Sequence, residues 1–231
     1  PAISDAMPTA ARTQRDAPLY ANVIPLTTPP TVDGKLDGEE WPAGGIGLAQ
    51  LPDQRAARGA PVTAKLCATD NDLYGAVNVV SMYPEELKTG TQWGVDEGVE
   101  IAVQGRREDG STVDYVLRGF TDGSFSSLPL AGATEVEANA FGQAVEYGAS
   151  LDKTIWRCEL RVPFAALRFI PADKAQLPLN ITVYRSEDNQ YLQWAGTSGE
   201  TYDLQRGGRA MFRGPQTSAA PKPKPVATAA F

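Results

Sequence analysis

Trp93-Gly-Val-Asp-Glu-Gly-Val-Glu-Ile-Ala-Val103 places a ring, two carboxylates and a strand in one short run. Val99, Ile101 and Val103 alternate with Glu100, Ala102 and Gln104. That period of two marks a strand with one buried face. Asp96 and Glu97 precede it in a turn bounded by Gly94 and Gly98, and Trp93 stands at the strand's mouth.

Working outward, the same alternation recurs in short segments punctuated by turn residues. Residues 62–69 and 73–80 form a hairpin about Asp70-Asn-Asp72. Residues 114–120 pair with the opening strand across Arg106-Arg-Glu-Asp-Gly110. Strands are expected at 20–25 (an edge strand), 46–51, 134–140, 143–150, 155–162, 179–185, 191–194 and 208–213, with an irregular segment at 125–130. Along 155–162, Trp156, Cys158, Leu160 and Val162 share one face; Arg157, Glu159 and Arg161 share the other and read as solvated, as does Asp114. Pro163-Phe-Ala-Ala-Leu167 supplies one helical turn with Pro at its first position. Many short strands and no long amphipathic helix indicate an all-β, antiparallel β-sandwich of immunoglobulin-like or jelly-roll type, with short helical turns and extended terminal arms. The domain spans 20–214, between an N-terminal arm (1–19) and a Pro-, Ala- and Lys-rich tail (215–231).

Composition narrows the chemistry. The 231 residues carry a net charge of −7 and no basic cluster interleaved with aromatics, which argues against nucleic acid as the main partner. No apolar run approaches the roughly 20 residues of a transmembrane helix. The chain opens without Met, and a signal sequence removed before Pro1 is expected. There is no histidine, so Ser-His-Asp and Cys-His arrangements and imidazole-bound zinc are out of reach. A Met-only haem ligation by Met7, Met82 and Met211 is disfavoured. A glycosidase needs two carboxyls flanking one bond; Glu97 and Glu100, three apart on a strand, face opposite ways. Glu100 reads as a partner for a basic strand residue such as Arg185 or Arg161. Cys67 and Cys158 are either one disulfide or two buried thiols, with thiols favoured. In Thr31-Val-Asp-Gly-Lys-Leu-Asp-Gly-Glu-Glu-Trp41 two Asp-Gly pairs mark tight turns, Asp37 caps a short helical turn, and Trp41 is a core anchor. Asp33 and Asp37 are weak calcium candidates by their oxygen spacing.

Taken in order, Thr31–Trp41, Asp70-Asn-Asp-Leu-Tyr74, Glu97-Gly-Val-Glu-Ile101, Trp156–Phe164, Asn180–Arg185 and Gly208–Phe212 resemble the family 9 carbohydrate-binding modules and the DOMON-like sandwiches related to them. The resemblance covers about residues 20–214. It implies a β-sandwich, a periplasmic or secreted setting, non-catalytic carbohydrate binding in polysaccharide binding or breakdown, and in some members structural calcium. In sugar-binding relatives two tryptophans hold a terminal sugar while charged and amide groups bond its hydroxyls. Trp93 and Trp194 match that pair, Glu97 and Arg118 match the polar ligands, and Gln193 and Asn189 are further candidates. A ring beside carboxylates on a β-scaffold suits the apolar face and hydroxyl edge of a sugar independently of the resemblance. The alternative reading is an accessory subunit of a larger extracytoplasmic, membrane-associated complex, its partner held through residues 1–19 and 215–231.

Overall fold

The computed structural model describes residues 17–213; the expected arm at 1–19 falls largely outside this range, and the tail at 215–231 entirely. The chain builds β1 (Tyr20–Pro25), β2 (Ile46–Gly47), β3 (Val62–Ala68) and β4 (Asp72–Val80), then β5 (Gly98–Arg106), β6 (Thr112–Phe120) and β7 (Phe125–Leu128). Helix α1 (Glu135–Ala144) leads to β8 (Glu146–Asp152) and β9 (Ile155–Pro163). Helix α2 (Phe164–Leu167), β10 (Gln176–Arg185), β11 (Gln190–Gln193) and β12 (Gly208–Phe212) complete it.

The strands lie in the order β7-β6-β5-β10-β12-β1-β3-β4-β9-β8, with β11 added to β10 and β2 to β3. The result is an all-β sandwich. One correction concerns β1, expected at an edge. It is the seam between the two layers, pairing in parallel with β12 through Tyr20–Val23 and with β3 through Ile24 and Pro25. Every other strand pairing is antiparallel. The alternation expected of β5 holds. Val99, Ile101 and Val103 turn inward to meet Leu179, Ile181 and Val183 of β10 and Leu160 and Val162 of β9 in one buried core.

A second correction concerns residues 135–144, which span the strand expected at 134–140, the Phe141-Gly142 step and the start of the strand expected at 143–150. They form α1, and the signal was present as Thr134-x-x-Glu137, a capping box. Glu137 N donates to Thr134 Oγ1 at 3.2 Å, and Thr134 N donates back to Glu137 Oε2 at 2.8 Å. Buried Phe141 stacks on Tyr115 of β6 with centroids 4.1 Å apart, a contact that overrides the weak strand pattern. Both cysteines are free and buried. Cys158 faces the main core, whereas Cys67 lies with Trp41, Tyr74 and Ala76 on the opposite face of the same sheet. Burial pushes their thiols up to about 12 and about 11 respectively, which keeps both protonated and inert at neutral pH.

Glu159 was expected to be solvated, but it is fully buried. Its Oε2 accepts from Asp33 N at 2.9 Å and Gly34 N at 2.8 Å, and its Oε1 from Trp41 Nε1 at 2.7 Å. One carboxyl on β9 thus pins the whole 31–41 segment over the outer face of β4 and β9. Burial raises its pKa, and the three donors pull it back down. Gly34 sits at φ 80°, and a Cβ there would run into the β8 backbone at Ala149. Asp33 is engaged by Lys35 Nζ at 3.0 Å, and no group of three metal-ligating side chains occurs among the described residues. Glu159→Ala should cost on the order of 3 kcal/mol, since it leaves the buried Gly34 N and Trp41 Nε1 and the part-buried Asp33 N without an acceptor. Urea denaturation followed by tryptophan emission measures this, with the native emission red-shifting as Trp41 loosens.

Candidate functional site

The outer face of β5, β6, β10 and β11 carries the site. Strand register sets Arg118, Glu100, Thr182 and Gln193 side by side in one row, and Phe120, Gly98, Tyr184 and Tyr191 in the next. Arg118 Nε donates to Glu100 Oε2 at 2.6 Å. The Glu100 side chain is 1% exposed and that of Arg118 is 23% exposed, so the carboxylate is a buried floor and the guanidinium reaches the surface. Such a pair is costly to break from one side, because the survivor is left buried and uncompensated.

Above this floor lies the Gln92–Asp96 turn. Its ring, Trp93, is half-buried, with Arg118 Cζ 5.2 Å from its centroid. Tyr191 meets Trp93 edge-on at 5.8 Å, and Tyr184 lies at 6.3 Å. The turn is closed by Asp96 Oδ2, which accepts from Gln92 N at 2.8 Å. Gly94 lets it settle here. Its φ is 79°, and a Cβ would strike the Tyr191 hydroxyl. Residues 194–207 fold over the neighbouring part of the face. Asn180 Nδ2 donates to the carbonyls of Ala195 and Thr201, and Thr201 Oγ1 donates to Thr182 Oγ1 at 2.7 Å. Tyr202 of this segment lies close enough for Glu200, Glu100 and Arg118 to act on its hydroxyl, after burial, which is the largest cause of its raised pKa. The assembled shelf offers half-exposed rings from Trp93, Tyr191 and Tyr202, a guanidinium face, and hydroxyl and amide edges.

The residues named from sequence divide between the two sides of the sheet. Trp93 and Arg118 lie together on the outer face. Trp194 does not join them: it is 3% exposed, packs in the main core beside Leu192, and lies so close to Gly208 that a Cβ there would overlap its ring. The physical reason is strand parity, since adjacent residues point to opposite faces. Gln193 therefore turns outward, but it is buried. Its Nε2 donates to Gly199 O at 3.2 Å and its Oε1 accepts from Thr197 N at 3.0 Å, so it braces residues 197–199. Asn189, exposed at φ 52° in the β10–β11 turn, accepts the Tyr184 hydroxyl at 2.9 Å and supports the aromatic cluster from its edge.

Glu100 pairs with a basic strand residue as expected, though with a different one, and Glu97 is not at the surface where a sugar ligand was expected. Glu100 pairs with Arg118 on the open face, not with Arg185 or Arg161. Glu97, just ahead of β5, is fully buried; its Oε2 accepts from Ser186 N at 2.8 Å and Ser186 Oγ at 2.9 Å and its Oε1 has no partner. Arg185 instead serves Asp188 and the carbonyls of Ala60 and Arg58. Tyr191 and Tyr184 were legible only by counting back in twos from Gln193 and forward in twos from Thr182.

No protein-family model matches the chain, and no curated protein matches it. Solved structures do. A family 9 carbohydrate-binding module from Caldicellulosiruptor kristjanssonii in complex with glucose superposes with a TM-score of 0.57 at 15% identity, covering 87% of this chain and 100% of that one. The cellotriose complex of a family 9 module from the same organism gives 0.58 at 15% identity, with 90% and 99% covered. The chain has the fold of the family 9 carbohydrate-binding modules. A Bacteroides uniformis structure gives 0.53 at 13% identity over 85% of this chain and 100% of its own. The family 9 likeness thus extends over most of the chain.

Burial drives Glu97 up to about 7 from an ordinary value of 4.5, with the two Ser186 bonds opposing and the nearby Glu187 adding to the rise. A carboxyl whose folded pKa is raised binds its proton more tightly in the folded state. Its stabilising effect is complete below pH 4.5 and is lost as pH climbs through about 7. The wild-type protein should therefore lose a few kcal/mol of stability from pH 4.5 to above 7, at about 1.4 kcal/mol per unit. Glu97→Gln should flatten that slope and be the more stable protein at pH 8, as read by urea denaturation at both pH values.

Proposed function

We propose that this protein binds carbohydrate without catalysis, seating a sugar on the Trp93 shelf. The observation that carries the reading is the Trp93–Arg118–Glu100 assembly. A half-exposed indole lies beside a guanidinium that is fixed in place by a buried carboxylate. A pyranose has an apolar face suited to the ring and hydroxyls suited to the guanidinium and the tyrosines. Tyr191 packs edge-on against Trp93 at 5.8 Å and supports that ring from the side, so the stacking surface offered to a sugar is Trp93 itself.

The neighbouring folds were solved with glucose and cellotriose bound, which supports the same ligand class here. A ring contact worth on the order of 1 kcal/mol beyond its buried area, with two or three charge-assisted hydrogen bonds, gives affinities near the micromolar range, about −8 kcal/mol. Such an affinity serves attachment to polysaccharide. Glu97 and Glu100 are both buried, with Glu97 bonded to Ser186 and Glu100 to Arg118, which leaves no open pair of carboxyls to flank one bond as hydrolysis requires. A periplasmic or secreted location and a part in polysaccharide breakdown belong to the same proposal, since such polymers lie outside the cytoplasm.

Glucose and cellotriose should quench the tryptophan emission of the wild-type protein. Trp93→Ala and Arg118→Ala should each weaken binding at least tenfold by calorimetry. Trp194→Phe should lower stability yet keep affinity within about twofold. No response to these sugars or across a glycan array would reject the proposal.

A further inference from the structure

Trp93 belongs to the connection between β4 and β5, residues 81–97, and packing alone does little to hold that connection. Its regular structure is one short 3-10 helix, Pro84–Glu86, and Met82 and Tyr83 are exposed. A connection this long keeps much backbone entropy unless it is tied down, and a ring carried on it then has no fixed place. The β10–β11 turn supplies the ties. Glu187, with 2% of its side chain exposed, takes the start of the connection: its Oε2 accepts from Ser81 Oγ at 2.5 Å and from Met82 N and Tyr83 N, each at 2.9 Å. Ser186 takes the far part. Its Oγ accepts from Lys88 N at 3.0 Å and donates to Glu97 Oε2 at 2.9 Å, and Ser186 N donates to the same oxygen at 2.8 Å. Glu97 N donates to Lys88 O at 2.8 Å. Lys88 is thus held by both of its main-chain groups, and residues 88–97 form a loop closed at its base by Ser186 and Glu97.

We infer that Ser186 is a positioning residue for the Trp93 shelf: its hydroxyl closes the 88–97 loop on Glu97 and so fixes where the Trp93 ring stands. The inference rests on the reading of the shelf as the sugar site. Three observations carry it. The hydroxyl spends both of its functions on the loop that carries Trp93, accepting at one foot and donating at the other. The turn that holds it joins β10 to β11, the strands that bring Tyr184 and Tyr191 to 6.3 and 5.8 Å from the Trp93 ring. Ser186 lies outside both strands, so loss of its hydroxyl breaks no ladder bond and leaves the core alone. It acts through the loop: a site that is assembled for only part of the time binds in proportion to that fraction, which is how a residue behind the ring sets affinity.

Trypsin and cellotriose test this on the intact protein. Lys88 is exposed but bonded at both main-chain groups, so the peptide bond after it should be cut slowly in the wild-type protein. Ser186→Ala should speed that cut about tenfold, followed by the fragment ending at Lys88, and should weaken cellotriose affinity about fivefold by calorimetry. Ser186→Thr keeps the hydroxyl and should restore both. An unchanged cleavage rate in Ser186→Ala would overturn the inference. So would faster cleavage at unchanged cellotriose affinity, which would leave the shelf standing. Losses that Ser186→Thr does not restore would overturn it too, since the hydroxyl would not be their cause. Failure of the wild-type protein to bind cellotriose would reject the shelf, and the inference with it, whatever the cleavage rates.

Discussion

A β-strand turns every second side chain to the same side, and here that constraint separates core from candidate site. On β5, Val99, Ile101 and Val103 close the sandwich while Glu100 floors the shelf. On β10, Ile181 and Val183 face inward while Thr182 and Tyr184 face the shelf and the segment folded over it. At the end of β11 the same rule sends Leu192 and Trp194 into the core and leaves Tyr191 and Gln193 outside. A slip of one residue in any of these strands would exchange the two sets at once, burying a salt bridge in the core and exposing its apolar residues.

Charge buried in a β-sandwich is tolerated only where it is answered, and Glu159, Glu100 and Glu97 are answered differently. Glu159 has three donors and holds a surface segment in place. Glu100 has a guanidinium that is itself stacked against Trp93. Glu97 has two bonds to one oxygen and none to the other, which leaves burial to dominate its titration. Of these, the best-satisfied carboxyl supports the fold, and the one paired with a partly exposed cation supports the candidate site.

Much of the fold was legible because period-two alternation is local. The hairpins of residues 62–80 and 98–120 and the face assignment of Trp156, Cys158, Leu160 and Val162 needed no more than that. Helix α1 was missed because its apolar pattern is weak and its capping box was passed over. The seam role of β1 was missed because parallel pairing with two distant strands leaves no local mark. Within the site, Trp93 could be chosen by residue chemistry, and Arg118 only through the family resemblance. Trp194 could not be placed, since a ring suited to stacking is equally suited to a core. Only its position one step after Gln193 decides which side of the sheet it takes. Glu159 read as surface because nothing in 155–163 announces that residues 33, 34 and 41 will close over it.

The central claim is that one face of one sheet, with Trp93 on it and Trp194 behind it, meets the sugar. The four tryptophan indoles give four separable signals in a 1H–15N spectrum of the labelled protein. Titration with cellotriose should move the Trp93 indole resonance progressively and leave those of Trp41, Trp156 and Trp194 in place. A shift at Trp194 with Trp93 unmoved would contradict the account.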